Sequence, residues 1–133
     1  AHDWVALMLL DERDQARELA EHLYESRKRR KLWEEELTCL DFMRRQPSSP
    51  SADDLLEACK DSQIFTCYAN FVIACDLLSQ GDRGGAETHF AAASQTGDFQ
   101  FSFYWWSKAF QSRATDPAWL PWLKQSASPF SKR

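Results

Sequence analysis

The placement of glycine constrains the fold of this chain more than any other feature of its sequence. The 133 residues include only four glycines, and all four lie between Gly81 and Gly97. Ala, Leu, Glu, Arg and Gln, which favour helices, are abundant, and β-branched residues are few. Apolar residues make up 44% of the chain, which is enough to bury a core. The sequence therefore predicts a compact, all-α domain.

The spacing of apolar residues and of helix caps predicts six or seven helices arranged as antiparallel pairs. The expected ranges are 3–10, 13–30, 32–45, 52–60, 64–80, 83–95 and 99–113. In the third range, Trp33, Leu37, Leu40 and Phe42 are expected to face inward. No Gly or Pro separates the second range from the third, so one bent helix is an alternative to two.

Turn residues divide these helices and set the limits of the domain. The Pro- and Ser-rich stretch 46–51 is the clearest loop, and the next helix begins after the N-cap Ser51. Gly81 followed by Asp82 ends one helix and caps the next, and Gly97 with Asp98 repeats that pattern. We expect one helical domain over 1–124, and the loop 46–51 is a candidate place for its division. A flexible polar tail is expected over 125–133.

Residues 68–96 combine small and bulky side chains at the spacing of two crossing helices. The residues that carry this pattern are Ala74, Leu77, Gly81, Ala86, Phe90 and Ala93. The stretch resembles the tetratricopeptide repeat, a helix–turn–helix unit of about thirty-four residues. It departs from that family at Asn70, where Trp is usual, and at Asp98, where Pro is usual. An unrelated helical bundle is the alternative.

The tetratricopeptide resemblance has consequences for architecture and for function. It implies a right-handed stack of helix pairs whose concave face binds peptides or partner domains, and it implies no catalysis. Because about three repeats are usually needed for an independent array, a terminal piece of a longer array or a small closed bundle is also expected.

Candidate catalytic and metal-binding residues are too scattered to predict a reaction. His2, His22 and His89 lie far apart, and no C-x-x-C pair is present. His89, Cys75 and Asp76 supply the residue types of a catalytic triad, but nothing in their spacing brings them together. We therefore expect no enzyme activity, no metal, no cofactor and no small-molecule substrate.

The four cysteines are Cys39, Cys59, Cys67 and Cys75, and an even count allows two disulfides. We expect reduced thiols instead, because a chain of this size builds a core without disulfides. A cytoplasmic location is expected with them.

The distribution of charge favours neither nucleic acid nor a membrane as the partner. Residues 1–66 hold ten Lys and Arg against fifteen Asp and Glu, and the second half is nearly balanced. The basic run 27–31 could serve nuclear import or phosphate contact, but it is expected to be the basic end of a helix, with Glu25 paired to Arg29. No apolar run is as long as a membrane span.

Aromatic residues are concentrated in the second half of the chain, where thirteen of the eighteen lie at or after Tyr68. A helix over 99–113 carries more rings than one buried stripe accommodates, so some rings are expected to contact a partner. The candidates are Phe101, Tyr104, Trp105, Trp106, Trp119 and Trp122. The sequence thus predicts an adaptor or scaffold domain that binds another protein or another domain of its parent protein. A single-strand nucleic-acid binder, with rings that stack on bases, and a small enzyme are the alternatives.

Overall fold

The structure is a computed structural model that describes residues 2–30, 33–98 and 100–123, and these ranges contain seven α-helices and no strand. The all-α prediction is confirmed. The end of the expected domain at 124, the expected tail and Phe99 lie outside the described residues. The helices are α1 (His2–Leu9), α2 (Arg13–Arg30), α3 (Glu34–Arg44), α4 (Ala52–Cys59), α5 (Gln63–Ser79), α6 (Arg83–Gln95) and α7 (Ser102–Gln111).

Helix α5 lies at the centre of the molecule and packs against α1, α3, α4, α6 and α7. Its sequence is apolar on every side, which is the pattern of a helix surrounded by others. Phe71, Val72, Ala74 and Cys75 on this helix are all fully buried. The rest of the fold is therefore arranged around α5.

Helices α2 and α3 run antiparallel, as two ion pairs between them show. Between α2 and α3, Arg27 pairs with Glu36 at 3.4 Å and Arg44 pairs with Glu21 at 3.2 Å. The alternative of a single bent helix is therefore wrong. The expected pair of Glu25 with Arg29 is not formed among the described residues, where both side chains are exposed.

The turn between α5 and α6 has the hydrogen bonds of a Schellman motif. The amide of Asp82 donates to the carbonyl of Leu77 at 2.9 Å, and that of Gly81 donates to Leu78 at 3.0 Å. Gly81 takes a φ of 88°, which favours glycine. The Asp82 carboxylate accepts from the amide of Gly85 at 2.9 Å and so caps α6. Both features match the expectation from the sequence.

The same turn geometry joins α1 to α2. The amide of Glu12 donates to the carbonyl of Leu7 at 2.8 Å, and that of Asp11 donates to Met8 at 3.1 Å. Here Asp11 takes the left-handed position with a φ of 60°. Aspartate tolerates that conformation better than most residues, which explains how a turn forms there without glycine.

The helices close into a bundle, because α1 packs on α5 as well as on its own partner α2. In an open solenoid each repeat contacts only its neighbours, so the first helix pair would not reach the third. His2 extends the closure, since its Nε2 lies 3.3 Å from the hydroxyl of Ser102 at the start of α7. The contact between α1 and α5 is one that a small closed bundle has, and the resemblance to the tetratricopeptide repeat stays a prediction.

Two expectations about particular residues are wrong. Trp33 was expected to face inward, but it precedes α3 and is 65% exposed. Asp98 does not cap the last helix, because α7 begins at Ser102. The backbone at Phe101 is extended, with φ −100° and ψ 130°, so the helix does not begin before Ser102. None of the described helices has the length and apolar character to cross a bilayer.

Candidate functional site

A cluster of aromatic rings surrounds Phe71 on the central helix. The ring of Phe103 stacks on it at a centroid distance of 4.4 Å, and those of Phe90, Phe110 and Trp106 lie within 6.1 Å. Phe71 and Phe90 are fully buried. The cluster joins α5, α6 and α7, and it accounts for much of the aromatic content that the sequence concentrates here.

Two of the six expected partner-binding residues belong to this core. Trp106 is half-buried and contacts the rings of His2 and Phe110 as well as Phe71. Trp119 is also half-buried, and its ring lies 5.3 Å from that of Phe110. Their contacts are intramolecular, so neither residue presents a ring that a partner could reach in full.

Phe101 lines a small cavity between the α2–α3 hairpin and the start of α7. The cavity has a volume of about 190 Å³. Its walls are formed by His2, Leu23, Arg27, Glu36, Leu40, Tyr68, Phe101, Ser102 and Phe103. Burial raises the pKa of the Tyr68 phenol well above its usual value, so this hydroxyl is neutral at every physiological pH. The cavity is large enough to hold one side chain.

Tyr104 and Trp105 lie on the outer face of α7. Their rings meet edge to face at 5.0 Å, and the ammonium of Lys108 lies 5.5 Å from the Tyr104 ring. Trp105 is 55% exposed, whereas Trp106 beside it is half-buried. This difference agrees with the rotation of about 100° between successive residues of a helix.

Trp122 is the sixth expected residue, and it lies against the end of α1. Its indole Nε1 donates a hydrogen bond of 2.7 Å to the carbonyl of Leu9, yet 56% of the residue is exposed. Leu10, the next residue after Leu9, is 60% exposed. We call Leu10 and Trp122 the terminal patch.

The chain around Trp122 is held by interactions on both sides of it. Leu123 is buried, and Trp119 packs on Phe110. The guanidinium of Arg83 donates to four backbone carbonyl groups in this segment, at distances of 2.8–3.1 Å. The four acceptors belong to Ala114, Asp116, Trp119 and Leu120. Within the terminal patch, Trp122 therefore belongs to a segment with a defined conformation.

Sequence reasoning missed a third exposed tryptophan, Trp33, which lies near the start of α5. The Trp33 ring lies 6.1 Å from that of Phe65, which is in turn 6.4 Å from Tyr68. One sequence signal could have indicated that Trp33 is exposed. It directly precedes three consecutive glutamates, which form the first turn of α3 and are exposed or half-buried. Arg83 was missed as well, because its acceptors lie more than thirty residues further along the chain.

The residue types of a catalytic triad are present but have other partners. The Nδ1 of His89 lies 2.9 Å from the amide oxygen of Asn70, and burial lowers the pKa of this imidazole. Asp76 pairs with Arg45 at 3.1 Å. Burial raises the pKa of the Cys75 thiol well above its usual value, which makes it a poor nucleophile. Within the described ranges, no group of three His, Cys, Asp or Glu could hold a metal ion.

The six residues of the expected repeat pattern lie at or beside the contact between α5 and α6. Ala74, Ala86, Phe90 and Ala93 are fully buried, Gly81 forms the turn, and Leu77 is half-buried. Comparison of the chain with protein-family models, with curated proteins and with solved structures finds no match.

Proposed function

We propose that this chain is a protein-docking domain, and that the terminal patch inserts into an apolar pocket on the surface of a partner protein. The observation that carries the proposal is Trp122, a large ring that is more than half exposed although its polar N–H is already bonded within the domain. Its remaining exposed surface is therefore mostly apolar. Such surface gains most when a partner removes it from water.

The fixed conformation of the segment supports a role in recognition. Arg83 and the buried Leu123 restrain the backbone on both sides of the Trp122 ring. Because the segment is already ordered in the free domain, it loses little conformational freedom on docking. Side-chain and loop ordering is one of the main costs of association, and a pre-organised anchor avoids much of it. Tryptophan is also among the residues most enriched at the energetic centres of protein interfaces.

The polar residues beside the patch match the expected rim of such an interface. Asp11, Glu12 and Asp14 lie within four residues after Leu10 and are exposed, and Arg13 and Arg17 lie beside them on the same helix start. The two arginines pair with Asp11 and Asp14 at 3.4 and 3.9 Å, and these are surface pairs of small energy. A polar, solvated border around an apolar centre is typical of protein–protein interfaces.

The test compares partner capture by the full chain with capture by two variants. Trp122→Ala removes the anchor, and Trp33→Ala is the matched control, because Trp33 is also more than half exposed but lies at the opposite end of α5. That separation follows from the contacts, since Trp33 packs on Phe65 near the start of α5 whereas Arg13, next to the patch, bonds Ser79 at its end. Captured proteins are quantified by mass spectrometry, and the affinity of each candidate is then measured by titration.

We expect Trp122→Ala to weaken one partner by about 30-fold, equivalent to about 2 kcal/mol, while the urea midpoint of the domain stays nearly unchanged. Trp33→Ala should leave that affinity as it is. Equal affinities for the wild type and Trp122→Ala, or a loss confined to Trp33→Ala, would show that the terminal patch is not the docking surface.

A further inference from the structure

Two cysteine thiols meet in the interior between α3 and α4. Cys39 lies in the middle of α3 and Cys59 is the last residue of α4, and their Sγ atoms are 4.0 Å apart. Both residues are fully buried. Cys67 and Cys75 lie on α5, eight residues and therefore about 12 Å apart along the helix axis. Among the described residues, Cys39 and Cys59 are thus the one pair of thiols in contact.

The chain between the two thiols contains the loop 46–51, which separates the two helices. A disulfide has an S–S length of about 2.05 Å, so the sulfur atoms must approach by about 2 Å. The two sulfur atoms are already in contact, so this approach of about 2 Å is the movement that bond formation requires. A bond here would tie α3 directly to α4 across their connecting loop.

We propose that Cys39 and Cys59 are a site of reversible oxidation, at which hydrogen peroxide converts the two thiols into an intramolecular disulfide. The sulfur of Cys59 attacks one peroxide oxygen. An S–O bond forms, the O–O bond breaks, and the thiol proton leaves with the second oxygen as water, which gives a sulfenic acid. The sulfur of Cys39 then attacks that of Cys59, and the S–O bond breaks to release a second water. The two thiols lose two electrons in total, and one peroxide becomes two waters.

The position of Cys59 explains why it reacts first. It ends α4, and Lys60 and Asp61 after it are exposed, so fraying of the last turn brings its sulfur to solvent. Cys39 has helix on both sides and lacks such a route. The hydrogen bond from Cys39 also lowers the pKa of the Cys59 thiol, against the opposing effect of burial, which favours Cys59 as the nucleophile.

Peptide mapping of the peroxide-treated full chain tests the proposal. After oxidation, the remaining thiols are alkylated in denaturant and the protein is digested with trypsin without reduction. Cleavage after Arg44, Arg45 and Lys60 separates Cys39 from Cys59, whereas Cys67 and Cys75 share the fragment 61–83. We expect fragments 32–44 and 46–60 to be found joined, and to separate on reduction. We also expect the oxidised protein to melt about 5 °C or more above the reduced form, because the bond restricts the unfolded chain.

Two variants serve as controls. Cys67→Ala keeps the pair and should still yield the joined fragments, whereas Cys39→Ala should yield Cys59 sulfenic acid and no rise in melting temperature. If alkylation labels all four cysteines of the treated wild type, or if the joined fragments include 61–83, the proposal is wrong. The wild-type map alone decides this point, even if a variant fails to fold.

Discussion

Asp76 is a buried acid on the central helix whose carboxylate has two close partners. The guanidinium of Arg45 lies 3.1 Å away, and the side-chain amide of Gln80 donates a hydrogen bond of 2.8 Å. Burial nevertheless raises the pKa of Asp76 above its usual value, against the lowering effects of Arg45, Arg13 and Gln80. The cost of removing the charge from water thus outweighs the gain from its partners.

The raised pKa of Asp76 predicts a particular dependence of stability on pH. Because the pKa is higher in the folded than in the unfolded chain, protonated Asp76 stabilises the fold. That contribution is complete below the usual aspartate pKa of about 4 and is lost as the pH rises through the folded pKa. We expect the free energy of unfolding of the wild type, minus that of Asp76→Asn, to fall as the pH rises over a range that begins near pH 4. Urea denaturation of both proteins across this range checks it, and a constant difference would contradict it.

At the scale of an element, the segment after α7 is fixed by one side chain from α6. Residues 114–123 form turns, and Leu120 even takes a positive φ of 54°. Arg83 supplies donors to four carbonyl groups of this segment in a planar fork that a lysine ammonium cannot reproduce. This segment carries Trp122. The conformation around Trp122 therefore depends on Arg83, which lies in α6.

Arg83→Lys should therefore loosen this segment while the helices stay folded. We expect a loss of about 1–3 kcal/mol in stability and a faster tryptic cleavage after Arg113, because two or more of the carbonyl hydrogen bonds are lost. Limited proteolysis followed by mass spectrometry measures the cleavage. Arg29→Lys is the matched control, since Arg29 is exposed and forms no ion pair with a described residue. Unchanged cleavage in Arg83→Lys would mean that the buried rings alone hold the segment.

The elements that the sequence predicted well are those with local signals. Gly81 and Asp82 define their turn through hydrogen bonds to residues within five positions. The turn can therefore be recognised from a short stretch of sequence. The start of α7 was placed too early because the spacing of Phe99, Phe103, Trp106 and Phe110 fits a helix, whereas Phe101 and Phe103 alternate as residues of a strand do. They reach the same side of the chain, 5.1 Å apart, only because the backbone at Phe101 is extended.

The candidate site was only partly predictable, for a physical reason. Whether a tryptophan such as Trp106 or Trp122 is covered depends on which helix packs against it, and that packing joins residues as distant as Leu9 and Trp122. The contact between Cys39 and Cys59 likewise depends on how the loop between their helices folds back. Residue types alone selected six aromatic side chains as candidates for partner binding. The tertiary structure then shows which of the six are exposed, such as Trp105 and Trp122, and which pack in the core, such as Trp106 and Trp119.

At the scale of the whole molecule, closure by α1 should make the domain unfold as one unit. Trp4 is almost completely buried on α1, and α1 packs on α5, which contacts four other helices in turn. A stack of repeats that contact only their neighbours would instead lose its first pair locally. The contribution of Trp4 to stability should therefore appear throughout the bundle rather than at its first helix alone.

Trp4→Ala tests this cooperativity, and it should cost about 3–5 kcal/mol through lost burial and the cavity left behind. We expect hydrogen exchange of the slowest amides in α3, α5 and α6 to accelerate by one common factor, although α1 packs directly on only α5 among these three helices. Trp4→Phe should act in the same direction with a smaller loss, because it retains a ring and removes an indole N–H that has no hydrogen-bond partner among the described residues. It also provides the measurement if Trp4→Ala does not fold.

Trp33→Ala is the control. It removes an exposed ring and should leave the exchange rates unchanged. Acceleration confined to α1 and α2 would show that the first helix pair opens independently, and that the contact between α1 and α5 does not couple the bundle.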